Sequence, residues 1–176
     1  MNLREETKQL HDELEGLSFN VKMFKGEQTD EERMAYLLSN RYIFRVLDEH
    51  MPIGFRRLSK IDKDINTFRK SGMKTEILYL ENSIGYAYYL DHHCKNINAH
   101  LYLNYMGFMY GGQIMKKRYP NSASLYEFDD IEEKRLYIRE KICEDNKEFV
   151  DEVKFGYRWH INISKEMDEL FNGDVG

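Results

Sequence analysis

Hydrophobic side chains recur at helical spacing along most of this chain. At its start, Leu3, Leu10 and Leu14 return to one face of a helix predicted over residues 3–15. Asn2 stands just before the first apolar position and can cap that helix with its side-chain oxygen. The first segment is therefore predicted to be an amphipathic helix with a defined start.

The second segment carries a stronger start signal. After a stretch at residues 17–28 that we predict to be a connector, Thr29 and Glu32 stand three residues apart in the pattern of a capping box. This box opens a helix that runs toward Met51, and Pro52 ends it because proline lacks the amide hydrogen that a helix interior needs.

The remaining pattern is also helical, with turns at polar or glycine-containing stretches. No stretch alternates with the period of a β-strand, and no sequence repeat occurs. The pattern predicts an all-α, single-domain bundle over residues 1–176. Its further parts are a mixed stretch at 53–72, a helix at 75–90, a turn at 91–96, a helix at 98–118, a loop at 120–122, and two helices from residue 129 onward with a break near 145.

Composition narrows the class of protein. Of 176 residues, 41% are hydrophobic and 32% are charged, as in a globular protein, and the net charge of −5 argues against general nucleic-acid binding. Two cysteines are too few for a disulfide scaffold in a chain of this length. The N-terminal segment is charged throughout, and no apolar run reaches the roughly 20 residues of a membrane span. We therefore expect a cytoplasmic protein without membrane contact.

Several common sites are absent from the sequence. It contains no phosphate-binding glycine loop, no H-E-x-x-H zinc motif and no Glu-x-x-His pair for a di-iron site. The adjacent His92, His93 and Cys94 fall in a predicted turn, where solvated side chains are the more common interpretation.

The first helix carries one candidate constellation. His11 and Glu15 are four residues apart and share a face, so the carboxylate could orient the imidazole and leave its other nitrogen free for a metal. Lys8 and Arg4 lie one and two turns before His11 and would suit a ligand that carries carboxylates. A surface histidine–glutamate pair on a solvated charged face is the simpler alternative.

Three glycines interrupt a second apolar helix. Gly107, Gly111 and Gly112 lie within HLYLNYMGFMYGGQIMKK, and each glycine costs a helix about 0.5–1 kcal/mol relative to alanine. The stretch therefore serves either close approach of the backbone to a flat ligand, with a bend in the helix, or tight packing between helices. The residues alone leave both explanations open.

The sequence resembles the heme oxygenase family. REETKQLHDELE (4–15) is similar to the family's proximal helix, and AHLYLNYMGFMYGGQIMKK (99–117) is similar to its glycine-rich distal helix. FKGEQTDEERMAYLLSNRYIFRVLDE (24–49) and WHINISKEMDEL (159–170) match further stretches in the family's order. The resemblance covers about residues 3–170.

The resemblance implies a site for heme b, which would be both cofactor and substrate. It makes His11 the axial ligand of the iron and Glu15 the partner of that histidine, and it places Gly107, Gly111 and Gly112 against the heme face. It also implies Arg4 and Lys8 at the propionates, Thr7 in the proximal wall, Tyr102 on the propionate side, Phe44 where a tyrosine often supports distal hydrogen bonds, and Trp159 and Asn162 at the rear of the pocket.

The sequence departs from the family at the distal side. Phe108 stands where many members carry an aspartate that anchors the water network for proton delivery, and Asn104 stands where an arginine is common. For a later basic contact to the propionates, the resemblance offers Ile138, with Arg139 beside it and Lys134 one turn earlier.

The implied activity is cleavage of heme by O2 and electrons to biliverdin, carbon monoxide and ferrous iron, with opening at the α position. Electrons would come from a ferredoxin or a flavoprotein reductase, and Lys116, Lys117 and Arg118 could extend a cationic rim that attracts such a partner. Two alternatives remain: a heme carrier or sensor without efficient turnover, because Phe108 replaces the acid, and a heme-independent enzyme of the same helical fold.

Overall fold

The computed structural model describes residues 2–73 and 78–172, and within these ranges it contains α-helices joined by short turns and no β-strand. This confirms the predicted all-α class. The α-helices are α1 (Leu3–Gly16), α2 (Ser18–Phe24), α3 (Asp30–Leu47), α4 (Leu58–Lys70), α5 (Glu81–His92), α6 (Ile97–Met109), α7 (Gly111–Arg118), α8 (Ile131–Tyr137) and α9 (Lys147–Asn172). Single 3₁₀ turns occupy Asp48–His50, Ile53–Phe55, Pro120–Ser122 and Ser124–Tyr126, and a π-helical segment covers Ile138–Ile142.

The predicted helix starts hold for α1 and α3. The Asn2 side chain accepts a hydrogen bond from the Glu5 amide, and both halves of the capping box between Thr29 and Glu32 are present. The predicted connector at 17–28 is wrong in part, because α2 occupies its first half. Phe19 and Met23 stand four residues apart and are buried, so one helical turn directs both into the core.

The helix predicted at 75–90 begins later than expected. Residues 74–77 lie outside the described part of the chain, residues 78–80 are not helical, and α5 starts at Glu81. The Glu166 carboxylate of α9 accepts hydrogen bonds from the amides of Glu81 and Asn82 at 2.8 and 3.0 Å, which satisfies two free donors at the helix start. A contact distant in sequence therefore determines this boundary.

The helix predicted at 98–118 is bent, as its glycines suggested. Tyr110, with φ −107° and ψ −77°, separates α6 from α7 directly before Gly111. Two helices follow residue 129 and are interrupted near Asp145, as predicted.

The long helix α9 is the common support of the bundle. It packs against α1, α2, α5 and α6, while α3 packs against α4 and α5 on the far side. Both α1 and α6 therefore rest on α9, with no extensive contact between these two helices among the described residues. No helix of the described ranges is long and apolar enough to cross a membrane.

A buried carboxylate fixes α6 relative to the end of α3. Asp48 accepts hydrogen bonds from the amides of Arg57 and Leu58 at 2.9 and 2.8 Å and from the Tyr105 hydroxyl at 2.5 Å. Burial lowers the pKa of Arg57 to about 10, although the nearby Asp48 charge opposes that shift. The cluster thus fixes α6 through the Tyr105 hydroxyl.

Candidate functional site

α1 and α6 both pack on α9 without extensive contact with each other, and we call the region between them, with Tyr157 of α9 as its floor, the cleft. The Tyr157 ring meets the His11 ring edge to face, with centroids 6.1 Å apart. Burial, together with the neighbouring Tyr102 hydroxyl and Glu15 carboxylate, raises the pKa of Tyr157 to about 12. Tyr157 therefore lies between the histidine helix and the glycine-bearing helix.

His11 points into this cleft from α1 and remains accessible. Its side chain is 48% exposed, and Nε2 lies 3.3 Å from a Glu15 carboxylate oxygen, which confirms that the two residues share a face. Nδ1 lies 3.7 Å from an Asp12 oxygen, a neighbour that the sequence analysis did not single out. The imidazole is accessible to a ligand and has carboxylates near both nitrogens.

The other predicted residues of α1 surround His11. Arg4 and Lys8 are exposed on the same face, and the Lys8 ammonium pairs with Asp12 at 2.5 Å. Thr7 is buried and donates its hydroxyl hydrogen to the Leu3 carbonyl at 2.8 Å. α1 thus presents an imidazole and two cations to solvent above an apolar base.

The three glycines have different surroundings. A side chain at Gly107 would meet no atom within 4 Å, so the backbone there borders open space. Gly111 is partly buried with the Phe24 ring 3.8 Å from the position of a Cβ atom. Gly112 is buried, and a Cβ there would lie 2.7 Å from the Tyr126 ring. Gly112 therefore has a packing reason to be glycine, because the Tyr126 ring occupies the place of a side chain.

Basic side chains from α8 and from the π-helical segment contact Tyr110 at the end of α6. Arg139 is exposed, and its guanidinium donates a hydrogen bond to the Tyr110 hydroxyl. The Arg135 guanidinium stacks on the Tyr110 ring at 4.2 Å and donates to the Met109 carbonyl. The positive charge of Arg139 also acts on Tyr102, whose pKa burial raises.

The sequence alternatives for this basic contact are thereby separated. Ile138 is fully buried in the core, so it cannot meet a polar group of a ligand. Lys134 donates to the Asp129 carbonyl and extends along Gly54, away from Tyr110. Arg139 is the position that reaches the cleft, and Arg135 is a neighbour that the resemblance did not indicate.

The rings of Phe108 on α6 and Phe44 on α3 form an apolar stack. Their rings lie 4.9 Å apart at 21°, and both side chains are buried. Tyr126 and Tyr105 meet this pair edge to face at 5.6 and 5.1 Å. The two positions where the resemblance implied an acid and a tyrosine therefore contribute no polar group.

Polar groups lie instead on the neighbouring face of α6, where it packs against α5 and α9. Asn104 accepts a hydrogen bond from His160 Nε2 at 2.7 Å and donates to the Tyr86 hydroxyl at 3.1 Å. The Tyr86 hydroxyl lies 2.7 Å from His100 Nδ1, and His100 Nε2 lies 2.7 Å from a Glu152 oxygen. We refer to these five residues, from His160 through Asn104, Tyr86 and His100 to Glu152, as the buried polar chain.

The acid at the end of this chain is ionised. Burial opposes the charge, but hydrogen bonds from His100 and Tyr89 outweigh it, so the pKa of Glu152 is lowered. Cys94 lies close by, with its sulfur within 4.8 Å of ligand atoms of His100 and Glu152 rather than beside His92 and His93. Burial raises the pKa of Cys94 to about 11, which keeps it a thiol.

Trp159 and Asn162, which the resemblance placed at the rear of the pocket, have separate positions. The Trp159 ring stacks on Tyr86 at 5.7 Å and packs against Gly85. Asn162 is exposed on α9. On this helix, His160 rather than Asn162 reaches α6.

The sequence did contain a signal for the missed residues. Glu152, Gly156 and His160 recur every four residues and thus share one face of α9, while His100 and Asn104 share one face of α6. Gly156 allows the two helices to approach, since a Cβ there would lie 2.6 Å from Leu103. Helical spacing could have suggested polar faces, but not that they meet.

The cleft can bind a flat, anionic, metal-containing molecule. It offers an accessible imidazole on one side, an unobstructed backbone at Gly107 on the other, and cations at Arg4, Lys8 and Arg139. Carboxylates of a ligand pair well with such cations.

The sequence and the fold were compared with known proteins. The sequence model described as heme oxygenase matches residues 1–154. Heme oxygenase 1 of Bos taurus is 23% identical over 96% of this chain and 71% of its own length, and heme oxygenase of Rhodella violacea is 25% identical over 97% and 87%. The crystal structure of heme oxygenase-1 from the cyanobacterium Synechocystis in complex with heme superimposes with a TM-score of 0.81, at 19% identity, over 99% of this chain and 94% of that one.

Proposed function

Because this chain belongs to the heme oxygenase family, we propose that it binds heme b between α1 and α6 and cleaves it with O2 and electrons. The products would be biliverdin, carbon monoxide and ferrous iron, with opening at the α position. The comparisons support this activity and favour neither a heme carrier nor a heme-independent enzyme.

One observation carries the proposal for the site. His11 on α1 is accessible beside the Tyr157 ring, and on α6, whose Tyr102 neighbours Tyr157, the backbone of Gly107 borders open space. A neutral imidazole is a common axial ligand of heme iron, and backbone without side chains permits close contact with a flat ring. We infer that His11 holds the iron and that Gly107, with Gly111 beside it, borders the other face.

The cations fit the edge of the ligand. Arg4 and Lys8 lie on the His11 face of α1, and Arg139 reaches the α6 side near Tyr102. Charge-assisted hydrogen bonds to two propionates would fix the rotation of the ring in the cleft and hence the edge that is attacked. The heme supplies the oxygen-activating chemistry, while the protein orients the ring and limits access of water.

The test is addition of hemin to the purified protein, followed by absorbance spectroscopy. We expect one hemin per chain and an imidazole-type spectrum, and then green pigment and iron release when ascorbate or a ferredoxin system is added with a chelator. His11→Ala should lose the imidazole-type spectrum, whereas His92→Ala, on the exposed surface of α5, should retain it. A wild-type spectrum for His11→Ala would exclude His11 as the ligand.

Reduction requires a partner that supplies electrons, and we propose an acidic ferredoxin or flavoprotein. Lys116, Lys117 and Arg118 are exposed at the end of α7, which continues the glycine-rich stretch. Cations are also favourable at the carboxyl end of a helix. The local positive charge in a protein of net charge −5 supports a docking role beyond that effect.

A further inference from the structure

We propose that His160, held by Asn104, positions a water molecule on the α6 side of the bound substrate and thereby replaces the polar group missing at Phe108. The inference rests on the proposed heme oxygenase function. It assigns the distal polar role to a side chain of α9, which the resemblance to the family did not indicate.

The hydrogen bond between His160 and Asn104 lies close to Tyr157 and Gly107 along their helices. Asn104 lies one helical turn before Gly107 and Phe108 on α6. His160 lies one turn after Tyr157, the floor of the cleft, on α9. The hydrogen bond between His160 and Asn104 therefore joins α9 to the glycine-bearing helix, one turn from Tyr157 and one turn from Gly107.

The hydrogen bonds of Asn104 determine which ring nitrogen of His160 carries a hydrogen. The Asn104 amide nitrogen donates to the His100 carbonyl at 2.9 Å and to the Tyr86 hydroxyl at 3.1 Å, so its orientation is determined by two acceptors. Its oxygen must then accept from His160, and His160 Nε2 carries the hydrogen. In a neutral imidazole this leaves a lone pair on Nδ1, which has no hydrogen-bond partner in the part of the chain that the structure describes.

Burial and the other members of the buried polar chain keep His160 neutral and oriented. Burial, with a smaller effect of His100, lowers the pKa of His160 to about 4. Behind Asn104, the Tyr86 hydroxyl donates to His100 Nδ1, and His100 Nε2 donates to the ionised Glu152. Every member of the buried polar chain thus has a defined direction of donation, which ends at a carboxylate.

The chemical consequence is an acceptor beside an apolar wall. Phe108 and Phe44 cannot hold water, whereas the Nδ1 lone pair of His160, which is bonded to Asn104 one turn before Gly107, can accept a hydrogen bond from a water molecule. A water held there would lie between the imidazole and the substrate. His160 is a positioning residue in this scheme, because it accepts a hydrogen bond and transfers no proton.

The first measurement uses the heme-free protein. Nitrogen-15 NMR of the histidine rings, with His160 assigned by its absence in His160→Gln, reports the tautomer directly. We expect neutral His160 with hydrogen on Nε2 from pH 8 to pH 5. Hydrogen on Nδ1, or an imidazolium at pH 6, would overturn the inference.

The second measurement uses the ferric hemin complex. We compare the pH midpoint of its acid–alkaline absorbance transition in wild type, His160→Leu and His92→Leu, a control that changes an exposed histidine of α5 in the same way. Loss of the acceptor should lower the midpoint by about half a pH unit, the effect of one ordinary hydrogen bond. His92→Leu should match wild type.

The outcomes are separable. A shift in His160→Leu alone supports the inference, and His160→Gln takes its place if the leucine variant does not fold. An unchanged midpoint in both His160 variants, or an equal shift in His92→Leu, overturns the inference while hemin binding still supports the proposed function. Failure of wild type to take up hemin removes the proposed function itself, and the substrate-facing role with it.

Discussion

Gly107 and Gly112 lie five residues apart in one glycine-rich stretch and have opposite reasons to be glycine. A Cβ at Gly107 would enter open space, whereas a Cβ at Gly112 would lie 2.7 Å from Tyr126. We expect Gly107→Ala to stabilise the heme-free protein by roughly 0.5–1 kcal/mol and to weaken hemin binding. Gly112→Ala should destabilise the protein by about 1–3 kcal/mol through overpacking.

Chemical denaturation and hemin titration of the two variants measure these effects. If Gly107→Ala binds hemin as wild type does, the exposed backbone at Gly107 does not contact the ligand. A stable Gly112→Ala would show that Tyr126 can move at little cost.

The pH dependence of stability should contain a contribution from His160. Its pKa is about 4 in the folded protein against 6.5 ordinarily, so the unfolded chain binds an extra proton between these values. Stability is therefore fully present above pH 6.5 and is lost as the pH falls toward 4, by at most about 3 kcal/mol. Urea unfolding at pH 7 and pH 5 should show a smaller loss in His160→Gln than in wild type or in His92→Gln.

At the scale of elements, the π-helical segment Ile138–Ile142 decides which side chain reaches the cleft. It carries Ile138 into the core and leaves Arg139 exposed beside Tyr110. Arg139→Gln should lower hemin affinity about tenfold, because a charge-assisted hydrogen bond is lost, and leave stability nearly unchanged. Ile138→Ala should cost about 2–5 kcal/mol of stability.

Thermal unfolding and hemin titration distinguish these variants. Lys134→Gln is the matched control, since Lys134 extends toward Gly54. Equal loss of affinity in Lys134→Gln and Arg139→Gln would point to general electrostatics rather than to a defined contact.

Helical periodicity predicted the class of the fold and most helices, because each helix buries a stripe that recurs every three to four residues. The capping box at Thr29 and the bend at Tyr110 followed from local rules. The start of α5 did not, since Glu166 supplies its cap from a distant part of the chain. The π-helical register and the pairing of His160 with Asn104 likewise depend on contacts between helices, which no local pattern encodes.

At the scale of the molecule, charge is distributed unevenly. The chain has a net charge of −5, yet Lys116, Lys117 and Arg118 follow one another at the exposed end of α7. Lys116→Glu with Lys117→Glu should reduce the rate of association with an acidic ferredoxin by about tenfold at low salt, and added salt should narrow the difference.

Stopped-flow reduction of the hemin complex measures this rate. Lys63 is exposed on α4. Lys63→Glu changes charge away from the glycine-rich stretch and should have a smaller effect on the rate. Identical rates for the two variants would place the partner elsewhere on the surface.

Trp159 is the sole tryptophan of the chain, and its indole Nε1 is buried without a hydrogen-bond partner in the described structure. Such an indole emits at short wavelength because no polar neighbour relaxes around its excited state. Since its ring stacks on Tyr86, a member of the buried polar chain, its intrinsic fluorescence offers a built-in probe of that chain. Energy transfer to a bound porphyrin would quench this emission, so the loss of fluorescence would report porphyrin binding without an added dye.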